Sequence, residues 1–491
     1  MVKIDKNVCK VIDKVKCIYG NSPDINTRTI KIKGVNVGVI FLESSSEART
    51  ISDFIIKGTL YTNGISIFQN IFNGLKNDLF NSQLFTINCF DDFPYYLSSG
   101  FTIIVVDGYH EAIVMETRAA LDRGVSEATS EPVLRGSKDS FTESHSKNLG
   151  LIRKRIKDEN LWFKELKLGR RTKSRISVAY IKGVADEKKV NIILKNLNNI
   201  DIDGVLDSGN LRDYLIDKSS IFPQIQSSER PDLASQALLN GKIVIFVENC
   251  PFVLILPTVF MDYLHSSADE NQKSSNISIT RFLRLLALII TLFTPAIYIA
   301  ITTFDQNTIP DKLLISIAVQ REGVPFPTAF EIIMLEVIFE IIRESNIRSP
   351  SSMSAAMSIV GALVLGQSAV DADIVSPISV IIVAVTSICS LIFTDIDFMN
   401  GIRSWRFIFM IAGSILGIIG ILCASIIWLI RMACLENLYT SYLSPFAPFD
   451  IDSQKNAIIK VPTFKMFKRP KYISQANPHR QRRSLWKKYF Y

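Results

Sequence analysis

Apolar and polar positions divide the 491-residue chain into three regimes. Up to about residue 280, short apolar runs alternate with charged stretches. From 285 to 430 charges are sparse, and beyond that basic residues predominate. In the first regime Val35 to Leu42 and Ile176 to Ile181 have the pattern of buried strands, and Lys188 to Leu197 has helical spacing. Residues 97–116, LSSGFTIIVVDGYHEAIVME, resemble residues 238–257, LLNGKIVIFVENCPFVLILP, when aligned at Gly100 and Gly241. Each predicts a β-hairpin, with its acidic turn at Asp107 or Glu248. The expected organisation is a soluble α/β region of two subdomains, each holding one hairpin, although two unrelated hairpins fit the same pattern. The expected boundaries are a tail over 1–30, α/β subdomains over 31–165 and 166–280, an all-α membrane domain over 281–435, and a basic cytoplasmic tail over 436–491.

A helix needs about 20 apolar residues to cross a bilayer. Four runs meet that length, at 285–304, 353–370, 374–393 and 407–430, and Pro295 removes a backbone hydrogen bond inside the first. The stretch 328–342, TAFEIIMLEVIFEII, is apolar but carries Glu331, Glu336 and Glu340. At helical spacing Glu336 and Glu340 share a face and Glu331 falls off it. Carboxylates facing lipid are costly, so these acids should face protein, water or each other. Because Gly323, Pro325 and Pro327 precede the stretch, it reads as a re-entrant or interfacial half-helix. Four crossings and a cytoplasmic α/β region put both termini in the cytoplasm, as the basic tail requires.

Composition narrows the functional classes. Lys455 to Lys488 holds eleven Lys and Arg and no acid, so the net charge of +8 reflects the tail and not a nucleic-acid surface. The bases at 153, 154, 155, 157, 170, 171, 173 and 175 fit either a salt-bridged helix face or an anionic-lipid or RNA patch. The seven cysteines form no paired framework and the four histidines are far apart, so neither disulfides nor a metal site is expected. No nucleotide-binding, metalloprotease or serine-hydrolase motif is present, which leaves an enzyme without a catalytic constellation and without a cofactor. Small residues from Ala355 to Ala369 serve either tight helix packing or a narrow pore lining. Gly413, Gly417 and Gly420 form a weaker helix-contact pattern.

Five blocks carry a resemblance to a known family: EPVLRGSKDSFTES (131–144), NLGLIRKRIK (148–157), FPQIQSSERPD (222–232), AVQREGVPFPTAFEIIMLEVIFEIIRESNIRSP (318–350) and SIVGALVLGQSAVDADIVSP (358–377). Over about residues 36–450 the chain resembles the A subunit of bacterial spore germinant receptors, the GerA family. It departs where the family more often has Pro-Arg-Glu-Gly, here Ser137, Lys138, Asp139 and Ser140. It departs again where an acidic-Ala-Gly element is usual, here Asp371, Ala372 and Asp373. The resemblance implies a nutrient-sensing subunit of the spore inner membrane, working with a transporter-like B subunit and a C-subunit lipoprotein. It also implies a homo-oligomer, plausibly a pentamer, that forms a nutrient-gated cation channel among membrane lipids.

On that reading Ser358, Ala362, Gln367, Asp371 and Asp373 are pore-proximal, and Glu336 and Glu340 are buried coupling carboxylates. Those two acids fit equally a structural ion pair with Arg343 or Arg348. Arg321, Glu322, Gly323, Pro325 and Pro327 shape a hinge, and Glu229 and Arg230 fix subdomain contacts. A small-molecule carrier using the acids as proton relays, and a non-conducting scaffold, are the competing readings.

Overall fold

A computed structural model describes residues 2–32, 34–56, 71–78, 84–119, 131, 136–216, 220–266, 268–269, 272–348, 366–454, 456–474 and 477–480. Two five-stranded antiparallel sheets form the N-terminal part. The first contains β1 (Ile25–Ile32), β2 (Val35–Leu42), β3 (Leu84–Ile87), β4 (Phe101–Val106) and β5 (Ala112–Glu116), in the order β1-β2-β4-β5-β3. The second contains β6 (Leu161–Leu168), β7 (Ser174–Ile181), β8 (Gln226–Ser228), β9 (Ile243–Val247) and β10 (Val253–Leu256), in the order β6-β7-β9-β10-β8. The two orders are the same permutation. The paired hairpins expected from 97–116 and 238–257 are β4–β5 and β9–β10, and each sits at the same place in its sheet.

The helices repeat the correspondence. On one face of the first sheet, α1 (Val8–Ile18) and α3 (Phe93–Ser98) bury Val8, Val11, Val15, Phe93 and Leu97. Phe72 and Leu75 of α2 (Ile71–Asp78) cover the other face. On the second sheet α4 (His145–Arg155) and α7 (Pro231–Asn240) cover one face. Its other face receives α5 (Glu187–Asn198) and α6 (Gly209–Leu215). With both faces covered, the central strands β4 and β9 are buried throughout and apolar at every position but Thr102, whose hydroxyl pairs with that of Thr117 at 2.7 Å.

Three expected boundaries shift. Residues 1–30 are not a tail, because α1 is a core helix capped by Asn7 and β1 begins at Ile25. A division at 165/166 falls inside β6, which pairs with β7 from Leu161 to Leu168. The cores instead change between β5 and α4. Residues 436–480 fold back: Lys189 of α5 donates to Thr440 Oγ1 at 2.7 Å and to the Tyr472 carbonyl at 3.0 Å. Burial brings the Lys189 ammonium down to about 8.

The rest is helical: α8 (Ser274–Thr303), α9 (Asp311–Gln320), α10 (Thr328–Arg348), α11 (Pro377–Ser390) and α12 (Ile396–Cys434). By length and composition α8 and α12 are long and apolar enough to cross a membrane, and α11 is a shorter apolar helix. The half-helix expected over 328–342 continues as one helix of 21 residues to Arg348, about 31 Å long. The run 353–370 lies outside the described residues up to 365.

The run expected to span once over 407–430 is two antiparallel arms. Gly417 has φ 61° and ψ −143°, and breaks the helix there. The chain then returns on itself: the Phe409 and Trp428 ring centroids are 6.4 Å apart, although a straight helix would separate those residues by about 28 Å. Asp305 Oδ2 accepts from the Ile418 amide at 3.2 Å, filling the first donor of the returning arm.

Candidate functional site

The bundle is seated on the second sheet. Phe222 and Phe260 of the α/β part meet Phe398 at the start of α12 and Tyr442 just after its end. Arg281 and Arg284 of α8 clasp Asp269, with nitrogen–oxygen distances of 3.1 and 2.9 Å. Burial pushes the Asp269 carboxyl up, but the two guanidinium groups outweigh it and hold the group below its ordinary value. Arg281 also donates to the Asn456 carbonyl at 2.7 Å, so the folded-back C-terminal segment is tied to the same clasp.

From that base α8 runs outward to Asp305 beside Gly417, while α10 and α11 run back toward it. The three glutamates of α10 form a polar seam along the bundle. At the outer end Glu331 is fully buried and accepts from the Ser376 amide at 2.5 Å and its hydroxyl at 2.8 Å. The Arg321 guanidinium stands 3.9 Å away. In the middle, fully buried Glu336 lies 2.7 Å from Arg406 and accepts from Thr386 Oγ1 at 3.3 Å. At the α/β end Glu340 is 3.1 Å from Arg406 and also pairs with Arg403.

The seam therefore balances Glu336 and Glu340 against Arg403 and Arg406. Buried carboxylates are tolerated when paired and hydrogen-bonded, and each here is held by at least two groups. Glu336 and Glu340 do form ion pairs, with Arg403 and Arg406 of α12 in place of the expected Arg343. The side chain of Arg348 lies outside the described residues. Sequence reading missed Arg403 and Arg406, whose i, i+3 spacing just before an apolar run looked like the flank of a span. Glu331 is off the shared face, as the spacing implied, and finds its own partner in Ser376.

The residues expected to shape a hinge come together at the outer end. Arg321 bonds Thr328 Oγ1, across the turn that contains Glu322, Gly323, Pro325 and Pro327. A Cβ added at Gly323 would stand 3.0 Å from Asp373 Cγ, so this turn packs directly on the residues after the second apolar run. Gln367, Asp371 and Asp373 are exposed at that end, and Ser358 and Ala362 lie outside the described residues. Asp373 has φ 53° and closes the short helix Ser368–Asp371, with its amide on the Val370 carbonyl at 3.0 Å. It occupies the position where the resembling family usually has Gly, and Asp is among the residues that tolerate this conformation.

In the α/β part, Arg230 is buried and donates to the carbonyls of Glu131 and Ser137 at 3.1 and 2.9 Å. It thereby braces the segment in which Asp139 pairs with Arg155 at 2.5 Å. Of the basic run, Arg153 pairs with Asp24, Arg170 with Asp201 and Arg175 with Glu248, the salt-bridged alternative. All seven cysteines are free thiols.

The family model of the Bacillus/Clostridium GerA spore germination protein matches residues 13–472. Spore germination protein KA of Bacillus subtilis (strain 168) is 36% identical over 484 residues, covering 98% of this chain and 89% of that protein. Spore germination protein B1 of the same organism is 30% identical over 484 residues, covering 98% and 100%. The N-terminal domain of the A subunit of the Bacillus megaterium spore germinant receptor GerK3, a crystal structure, is 28% identical; the match covers 52% of this chain and 97% of that one, at a TM-score of 0.43.

Proposed function

Because the chain belongs to the family of Bacillus/Clostridium GerA spore germination proteins, we propose that it acts as a nutrient-gated ion-conducting A subunit of a spore germinant receptor. In this reading it is a multi-pass protein of the spore inner membrane and assembles with copies of itself around the conducting path. A transporter-like B subunit and a C-subunit lipoprotein complete the receptor. Helices α8, α10, α11 and the two arms of α12 supply five crossings. The apolar run 353–370 supplies a sixth, so the termini share the cytoplasmic side. This reading counts six crossings where four were expected, by adding α10 and dividing α12.

The observation that carries this reading is the contrast between the inside and the outside of the bundle. Inside, Glu331, Glu336 and Glu340 are occupied by Ser376, Arg406 and Arg403. Outside, α12 exposes Ile411, Ile415, Ile419, Ile426 and Ile430. Acids already engaged in pairs favour a coupling role over a proton relay, and so favour a gated path between subunits over a carrier within one. Nutrient capture by a partner would shift the equilibrium between two bundle arrangements. The contact between Gly323 and Asp373 is where motion of the hinge reaches Gln367 and Asp371.

Potassium release from spores carrying Asp371→Asn or Ala362→Gly, before and after nutrient addition, tests the assignment. Leak without nutrient, or an altered ion preference, is expected. Wild-type release from both variants at normal protein levels would leave the subunit a scaffold.

A further inference from the structure

The arms of α12 touch along their inner edge and part along their outer edge. The groove between them is about 580 Å3. Trp405, Ala412 and Leu416 line it from the outgoing arm and Gly420 and Ile427 from the returning one, and Arg431 stands at the mouth nearest the α/β region. Ser220, Ile221 and Phe222 of the α/β region line the same mouth; Arg431 is exposed, and among the described residues none that lines the groove is acidic. From Gly420 to Arg431 the arm rises about 16 Å. One leaflet of hydrocarbon is about 15 Å thick, half of a core of about 30 Å.

From this geometry we infer that the groove holds one anionic phospholipid of the cytoplasmic leaflet, with an acyl chain between the arms and its phosphate on Arg431. The inference rests on the membrane-spanning reading above. Charge decides the occupant. A helix from a second copy would have to bring a carboxylate to Arg431, yet α8, α11 and α12 from Phe398 onward contain no Asp or Glu, and Glu331, Glu336 and Glu340 of α10 are engaged within the bundle. A phosphodiester brings the negative charge and the apolar chain together, at the separation the groove provides. On the cytoplasmic side anionic lipid and exposed arginine are also brought together by the surface potential.

The test uses the full chain reconstituted in phosphatidylcholine–phosphatidylglycerol vesicles, re-extracted in mild detergent and weighed by native mass spectrometry. Retention of one phosphatidylglycerol per chain, enriched over the bulk mixture, is expected. Arg431→Gln should lower that enrichment about fivefold while sparing total lipid. Ala412→Leu, which fills the groove, should lower retention of both lipids. Equal retention of the two lipids by the wild type would overturn the inference. So would oxidative crosslinking of Cys423 between copies in a chain with the other exposed cysteines replaced by serine, because a second copy would then occupy the groove. An alkaline carbonate wash separates the failures. A chain that washes off the vesicles sinks the spanning reading itself, whereas a chain that stays without lipid preference sinks the groove assignment alone.

Discussion

The α/β region and the helical bundle each bury an arginine, and they neutralise it differently. Arg153 of α4 reaches across to Asp24 of the first sheet at 3.0 Å, with its guanidinium carbon 5.1 Å from the Tyr19 ring centroid and 4.7 Å from that of Phe163. One carboxylate and two aromatic faces suffice at this joint between the sheets. Trp162 Nε1 donates to the Ile18 carbonyl at 2.9 Å beside it. In the bundle, Arg406 sits between Glu336 and Glu340, and Arg403 completes a set of two cations and two anions. The joint between the sheets lies in the α/β region, outside the proposed membrane. In the proposed membrane setting no water reaches the bundle seam, so every charge there needs a counter-charge within the protein.

That contrast is broken most severely by Arg406→Met. The substitution strands Glu336 and leaves Glu340 with Arg403 alone, and a buried pair that loses one partner costs about 3–5 kcal/mol. Membrane levels of the protein, and its unfolding in detergent, should both drop. Adding Glu336→Gln should restore part of the loss, because the stranded charge goes with it. If the single variant matches wild type, the seam does not hold the bundle together.

The matching change in the α/β region, Arg153→Met, should cost about 2–3 kcal/mol, less because Asp24 keeps the Ser44 hydroxyl at 3.0 Å. Its effect should be local. Hydrogen exchange should quicken in α1 and β1, on the far side of the joint, and stay slow in β9. Uniform loss of protection across both sheets would mean that Arg153 stabilises the second sheet and does not link the two.

Legibility from sequence followed the same division. The β4–β5 and β9–β10 hairpins were readable because each is an apolar strand pair around an acidic turn, and the turn at Asp107 and Gly108 needs the positive φ of 92° that Gly108 adopts. The repeated strand order was only hinted at, since the outer strands β3 and β8 are short and carry little pattern. In the bundle, length and apolarity found α8 and the general extent of α12. They could not find the reversal at Gly417, because three spaced glycines suit both helix contact and a break. The shortness of 328–342 and the Gly-Pro turn before it made α10 read as a half-helix, and only the partners on α11 and α12 explain how a helix of 21 residues holds three glutamates. Half of the seam was thus legible as acids wanting cations. The cations sat 63 and 66 residues away in sequence, a distance over which no periodicity speaks.

Gly417→Ala sharpens the comparison within the bundle. The backbone there takes φ 61° and ψ −143°, a region essentially restricted to glycine, and a Cβ would stand 2.9 Å from Asp305 Oδ2. About 1–3 kcal/mol is expected, together with loss of the cap on the returning arm. Accessibility of Cys423 to a membrane-permeant thiol reagent reports whether the arms separate. An unchanged labelling rate and unchanged stability would rule out the tight reversal.

The smallest effect is set by pH and belongs to the α/β region alone. His145, hydrogen-bonded to Ser177 at 2.8 Å, has its pKa lowered by burial to about 4 from 6.5, with the Arg175 charge adding to the shift. Between pH 6.5 and 4 the unfolded chain takes up a proton that the folded chain refuses, so this group lowers stability as pH falls through that window. Glu131 does the opposite. Burial raises it to about 7 from 4.5, against the Ser228 hydrogen bond, so the folded chain binds the proton first and gains stability as pH falls from 7 to 4.5. The two windows overlap and nearly cancel, and between pH 7 and 5 each contributes about 1–2 kcal/mol. Denaturation midpoints of the second sheet should therefore change little in the wild type, rise toward pH 5 in His145→Gln and fall toward pH 5 in Glu131→Gln. Parallel pH profiles for the two variants would show that neither burial is strong enough to move these groups.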